Sequence, residues 1–257
     1  VSSAGFSGML WTPELRHAKS PADYLRRLQS MVLAPQMLLN IWSMPYPPWR
    51  QLDRDLNRAG TFYPAAEEEQ LCAATRNILN QRMSFIPYLY AAFADYHFAG
   101  IPPFRAPVMD YPSSAALREL DWAWLAGENL LVAPLTAEEN EKVLPLPPGR
   151  WYDFYTGAVS EGEVLLKPSA DTLPIMVREN SLIPYAEPVE KIADGMKFKI
   201  QLRCYGPAPR PARLYADDGF SFAFEQNGEA YCGTVSADGT LSPNLSARYE
   251  VSEILNF

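Results

Sequence analysis

Apolar positions in the first hundred residues follow two alternating rhythms. Residues 5–11, GFSGMLW, form a short apolar run that reads as a strand. Residues 17–34, HAKSPADYLRRLQSMVLA, read as a helix. Ser20 is a natural N-cap, Pro21 suits the first helical position, and Asp23 falls in the first turn near the positive end of the helix dipole. Tyr24, Leu28, Met31 and Val32 then recur at helical spacing. A second bulky run, Met37 to Trp42, has the character of a strand buried on both faces, with Asn40 set inside it. The chain leaves that run through Trp42, Tyr46 and Trp49, separated by Pro45, Pro47 and Pro48. A long helical pattern follows, carried by Leu71, Ile78, Leu79, Arg82, Ile86, Leu89, Tyr90 and Phe93. It predicts one helix from about Glu67 to Ala99, kinked near Pro87 and stopped by Gly100 with Pro102 and Pro103. The run Glu67-Glu68-Glu69 suits the helix N-terminus.

Strand, helix, strand, helix is the signature of a parallel sheet or barrel with helices outside. Two such units cannot close a barrel by themselves. From about residue 104 the helical period fades into short runs such as ENLLVAPL, GEVLLKPS and KFKIQLRCYG, punctuated by Gly, Pro, Asp and Asn. That is the pattern of antiparallel β-sandwiches. AEPVEKIADGMK reads as a hinge between two of them.

Composition narrows the function classes. The 257 residues are 48% hydrophobic, which provides for an ample core, and the net charge of −8 argues against nucleic-acid binding, whose footprint is basic. No segment approaches the ~20 apolar residues of a membrane span. VSSAGFSGML has neither a basic n-region nor a long apolar h-region, and without an initiator Met it reads as the start of a cut chain. His17, His97, Cys72, Cys204 and Cys232 show no metal-ligand spacing and point to no cofactor. A Cys204–Cys232 disulfide is left open. Asp217-Asp218-Gly219 reads as a turn between strands rather than a metal site.

Five collinear stretches resemble the C-terminal part of glycoside hydrolase family 31, the α-glucosidase and α-xylosidase family. They are RMSFIPYLYAAFADYHFAGIPPFRAPVMDYP, WLAGENLLVAPL, LPPGRWYDFYTG, LPIMVRENSLIPY and LYADDGFSFAFEQNGEAY. They are similar to the family's last barrel helix, a Leu-Leu-Val-Ala-Pro strand, a Trp-Tyr-Asp turn, a Val-Arg edge and the Asp-Asp-Gly segment of its distal domain. The resemblance implies a multidomain α/β plus all-β chain. Residues 1–103 would be the last two βα units of a TIM barrel, 104–188 a proximal β-sandwich and 189–257 a distal one. It implies hydrolysis of α-linked sugars with retention by two Asp residues, nucleophile and acid/base, both upstream of this chain. The partners implied are an α-linked oligosaccharide or glycoside and the missing N-terminal part of the barrel.

TIM-barrel sites lie at the C-terminal ends of the strands, so Trp11, Glu14, Asn40 and Trp42 are the expected substrate-binding residues. Asn40 would aim its amide at a sugar hydroxyl and Trp42 would offer a flat face to a pyranose ring. Plainer readings stand beside these: Asn40 satisfying neighbouring backbone groups, the two tryptophans packing the barrel top, and Glu14 solvated or paired with Arg16. The family's common members carry an Asp where this chain has WTPELRH, and an Arg and a His where it has Leu38 and Asn40. That departure points to a divergent specificity, for example α-galactosides. The rival classes are a non-catalytic carbohydrate-binding or scaffold fragment and an inactive homologue.

Overall fold

The computed structural model describes residues 1–10, 14–40 and 65–257. Its first regular helix forms where the sequence places it. In α1 (Pro21–Val32) the Ser20 hydroxyl accepts the Asp23 amide at 3.1 Å, and the Asp23 carboxylate accepts the Lys19 amide at 2.8 Å. Asp23 also holds Arg27 one turn on. Tyr24, Leu25, Leu28, Met31 and Val32 make the buried face.

The segment ahead of α1 departs from expectation. Residues 5–11 were expected as a strand, but Ser3–Ser7 form a 3-10 helix closed by Gly8 at φ 64°. Gly5 explains the difference: a Cβ there would lie 2.7 Å from the Arg105 Cα. The segment packs backbone to backbone against Arg105 instead of joining a ladder. The extended chain comes later. Leu15 and Leu39 form a parallel bridge, with Leu15 N donating to Leu38 O at 2.8 Å and Asn40 N donating to Leu15 O at 2.9 Å.

The expected single kinked helix is two, α2 (Ala65–Ser84) and α3 (Ile86–Ala99). The break is at Phe85 (φ −81°, ψ −4°), ahead of Pro87. Proline has no N–H to give, and that loss is least felt in a first helical turn, where Pro87 now sits. Backbone bonds still cross the break, from Phe85 to Gln81 and from Leu89 to Phe85. Gly100 at φ 69° ends α3 as expected, its amide bonded to Tyr96 O. Glu67 and Glu68 occupy the first turn of α2.

Beyond α3 the chain is rich in sheet. It runs through β1 (Phe104–Arg105), α4 (Pro107–Asp110), α5 (Ala115–Arg118), β2 (Trp124–Ala126), β3 (Leu130–Val132), β4 (Lys142–Asp153), β5 (Val159–Leu166) and β6 (Ile175–Arg178). These strands form one antiparallel sheet in the order β1-β2-β3-β6-β4-β5. LPPGRWYDFYTG is mostly strand rather than turn. β4 carries Pro145, Pro147 and Pro148 through a register shift between Pro145 and Arg150, where missing amide donors are tolerated. The turn comes after it, where Asp153 accepts the amides of Tyr155 and Thr156 and Gly157 stands at φ 72°.

The last third holds β7 (Ser181–Ala186), β8 (Phe198–Tyr205), β9 (Ala212–Tyr215), α6 (Ala223–Gln226), β10 (Cys232–Val235) and β11 (Tyr249–Asn256). β9 and β10 pair antiparallel. In the sheet β11-β8-β7, however, β11 runs parallel to β8, so the expectation of purely antiparallel strands fails here. The long β8–β11 connection, which contains the β9–β10 pair, supplies the crossover that a parallel neighbour needs. β7 lies before the expected 188/189 boundary yet bonds to β8 beyond it. The presumed hinge is thus the connection between two paired strands. Cys204 is buried on β8 and Cys232 half-buried on β10, and no disulfide joins them.

Candidate functional site

The Leu15–Leu39 bridge sets two expected site residues side by side. Glu14 immediately precedes one bridging residue and Asn40 immediately follows the other, and the Asn40 amide donates to the Glu14 carboxylate at 3.2 Å. Arg16 reaches the same carboxylate oxygen at 2.5 Å. Glu14 is therefore paired with Arg16, one of the plainer readings, and with Asn40 as well. Both charged side chains stay in reach of water, at 34% and 59% exposure. A carboxylate, an amide and a guanidinium within one cluster offer acceptors and donors together, which recognition of a polyhydroxylated ligand requires. Trp11 and Trp42, the other two expected residues, lie outside the described residues.

Arg82 on α2 steadies the chain between these groups. Its guanidinium donates to the carbonyls of Val32 at 2.9 Å and Ala34 at 2.7 Å, at the end of α1 and in the turn leading to Asn40. Burial pulls its pKa down to about 10, so it stays charged at neutral pH. The sequence signal was present, an Arg in register with Ile78 and Ile86 on an apolar stripe, but that pattern alone gives it no partner. The same turn is tied to the sheet by Trp124, whose indole N–H donates to Leu33 O at 2.6 Å. The Gln29 amide donates to Ala170 O at 2.5 Å, and Arg26 donates to Ser169 O. Tyr24, hydrogen-bonded to Thr75 of α2, is pushed up to about 12 by burial and remains a neutral packing group.

The remaining sequence candidates fall where their plainer readings put them. Asp218 accepts the amides of Phe220 and Ser221 and the Ser221 hydroxyl, which together hold its carboxyl at about 2. It closes a turn. His97 lies in the last turn of α3 among Phe98 and Phe224. Among the described residues no group of three or more His, Cys, Asp or Glu is arranged to hold a metal ion, and no helix is long and apolar enough to cross a membrane.

Comparison with known proteins adds the following. Residues 100–183 match the family described as Glycosyl hydrolase family 31 C-terminal domain. The chain is 30% identical over 168 residues to Alpha-glucosidase 2 of Bacillus thermoamyloliquefaciens, covering 63% of this chain and 21% of that protein. It is 26% identical over 207 residues to an Alpha-xylosidase of Saccharolobus solfataricus, covering 79% of this chain and 26% of that protein. The fold is similar to that of the Flavobacterium johnsoniae GH31 dextranase complexed with glucose, with a TM-score of 0.68 at 22% identity over 84% of this chain and 26% of that one. The chain thus spans about a quarter or less of the length of these relatives.

Proposed function

Starting from membership of glycoside hydrolase family 31, whose C-terminal portion this chain represents, we propose that it is the C-terminal part of a retaining α-glycosidase. In this reading residues 1–103 supply the last two βα units of a TIM barrel and two β-sandwiches follow, with β7 in the distal one, where it pairs with β8. The two catalytic Asp residues belong to an upstream part of the barrel. One attacks the anomeric carbon; the other protonates the leaving oxygen and then deprotonates the water that frees the sugar. The residues of this chain act on recognition. Asn40, with the Glu14 carboxylate bonded to it, lines the sugar pocket at the C-terminal end of its strand.

The observation that carries this reading is the parallel Leu15–Leu39 register, which sets the Asn40 amide 3.2 Å from the Glu14 carboxylate. Parallel strands joined through a helix are the unit from which such barrels are built. An amide held by a carboxylate is fixed in orientation and reads the direction of a hydroxyl. Where common family members have an Arg and a His, this chain has Leu38 and Asn40, which removes positive donors and favours a shifted preference such as α-galactosides.

The test is Asn40→Ala in the full-length enzyme, assayed on aryl α-glucosides, α-xylosides and α-galactosides. An unpaired buried polar group costs about 1–3 kcal/mol, so kcat/KM is expected to fall about 10- to 100-fold on the preferred epimer and much less on the others. An equal small loss on all three, or none, makes Asn40 structural.

A further inference from the structure

We propose that the cleft between α3 and the turn at 217–224 binds a short α-linked oligosaccharide by ring stacking, at a site that shares no residue with the Glu14–Asn40 cluster. The choice of an α-linked sugar rests on the α-glycosidase reading; the cleft itself rests on its own geometry. Two cavities of about 420 and 300 Å³ are both lined by Tyr90, Phe93, Asp217 and Gly219, so they adjoin at that point as two lobes of one cleft. Each is in the size range of small-ligand pockets.

The walls are aromatic and largely fixed. The His97 ring is held edge-on by Phe98 at 4.7 Å and Phe224 at 5.3 Å, and Tyr90 packs edge-on against Tyr215 at 5.1 Å. The backbone at Gly228 approaches Phe98 too closely for any side chain, which pins that ring. At the mouth Phe220 and Phe222 each keep 73% of their surface in water, outside all three cores. Leaving two large rings so exposed forgoes burial energy, and contiguous exposed apolar surface of this kind marks a binding groove.

A polar group at the junction of the lobes decides the class of ligand. The Tyr90 hydroxyl donates to the Asp217 carboxylate at 2.7 Å, and the Gly219 amide donates to the same carboxylate at 3.1 Å. A carboxylate has about four acceptor sites, and the Tyr90 and Tyr215 hydroxyls and the Gly219 amide use three, so Asp217 retains one for a ligand hydroxyl. A pyranose ring presents an apolar C–H face to an aromatic ring and hydroxyls at its edge. Flat rings beside one oriented carboxylate match that pattern, and an apolar peptide segment would leave the carboxylate unanswered.

The experiment is native gel electrophoresis of the full chain with and without soluble starch or dextran in the gel. Polysaccharide is expected to retard the wild-type chain. The double variant Phe220→Ala/Phe222→Ala is expected to bind about tenfold or more weakly, from the loss of two ring contacts. Because both rings are exposed, its thermal midpoint should match the parent's, which verifies that it folds. Absence of retardation of the wild-type chain in both gels, or equal retardation of the variant, overturns the proposal. Aryl α-glycoside turnover by the full-length enzyme is read separately, so failure of the cleft and failure of the α-glycosidase reading are distinguishable.

Discussion

Arg82 shows how one side chain can govern a site it does not enter. Its Nη1 bridges the last turn of α1 to the turn that leads to Asn40, donating to both the Val32 and Ala34 carbonyls, and its Nη2 reaches Pro35 O. A carbonyl at a helix end has no partner within its own helix, so a fixed cation there supplies the missing bond. Arg82→Met is expected to lower the unfolding free energy by about 1–3 kcal/mol in urea titration, the usual range for losing hydrogen bonds to a charged group. Arg82→Lys should restore only part of that, because one ammonium can replace Nη1 at the Val32 and Ala34 carbonyls but not Nη2, which reaches Pro35 O at 3.5 Å. Full rescue by Lys would mean that charge alone matters there.

The elements differ in how far their own residues dictate them. α1 is determined locally: the cap, the proline and the acidic first turn all lie within four residues, and each makes its expected contact. Ser20→Ala should therefore cost about 1 kcal/mol of stability in thermal or chemical unfolding, and Ser20→Gly only a few tenths. An Ala variant as stable as the parent would mean that packing of the apolar face alone holds the helix. The segment at Ser3–Ser7 was not legible in this way. Its apolar run fits a strand by pattern, and only the approach of Arg105, a hundred residues away, makes it a 3-10 helix. The direction of β11 was equally hidden, since a parallel and an antiparallel edge strand carry the same alternation. At the candidate site Glu14 precedes the bridging Leu15 and follows a run that forms no strand, so only Asn40, just after the bridging Leu39, was legible from a strand end. Arg82 was not, since its partners are backbone carbonyls, and these leave no trace in side-chain spacing. The ring cluster around His97 was missed for another reason: Phe220 and Phe222 lie in a turn, where no periodicity reports on them.

On the scale of the whole molecule, Phe6 and Met9 in the N-terminal segment and Leu38 beside the parallel bridge are at 50% exposure or more. Such surfaces favour pairing with further chain. Under the proposed reading, purified residues 1–257 should hydrolyse no aryl α-glycoside, and turnover by this chain alone would refute the placement of both catalytic carboxylates upstream. The largest apolar cluster runs from Leu15, Tyr24 and Leu28 through Tyr88, Phe104 and Trp124 to Ile175 and Tyr205. It disregards the change of sequence character near residue 104, and the bonds from Gln29, Arg26 and Trp124 cross the same line. This constrains how such chains can be recombined. A crossover placed at residue 103, where the sequence invites one, would split a single core and join halves that had never packed together. Functional chimeras that exchange sugar preference between relatives would have to carry the helical units and the sheet behind them as one inherited block.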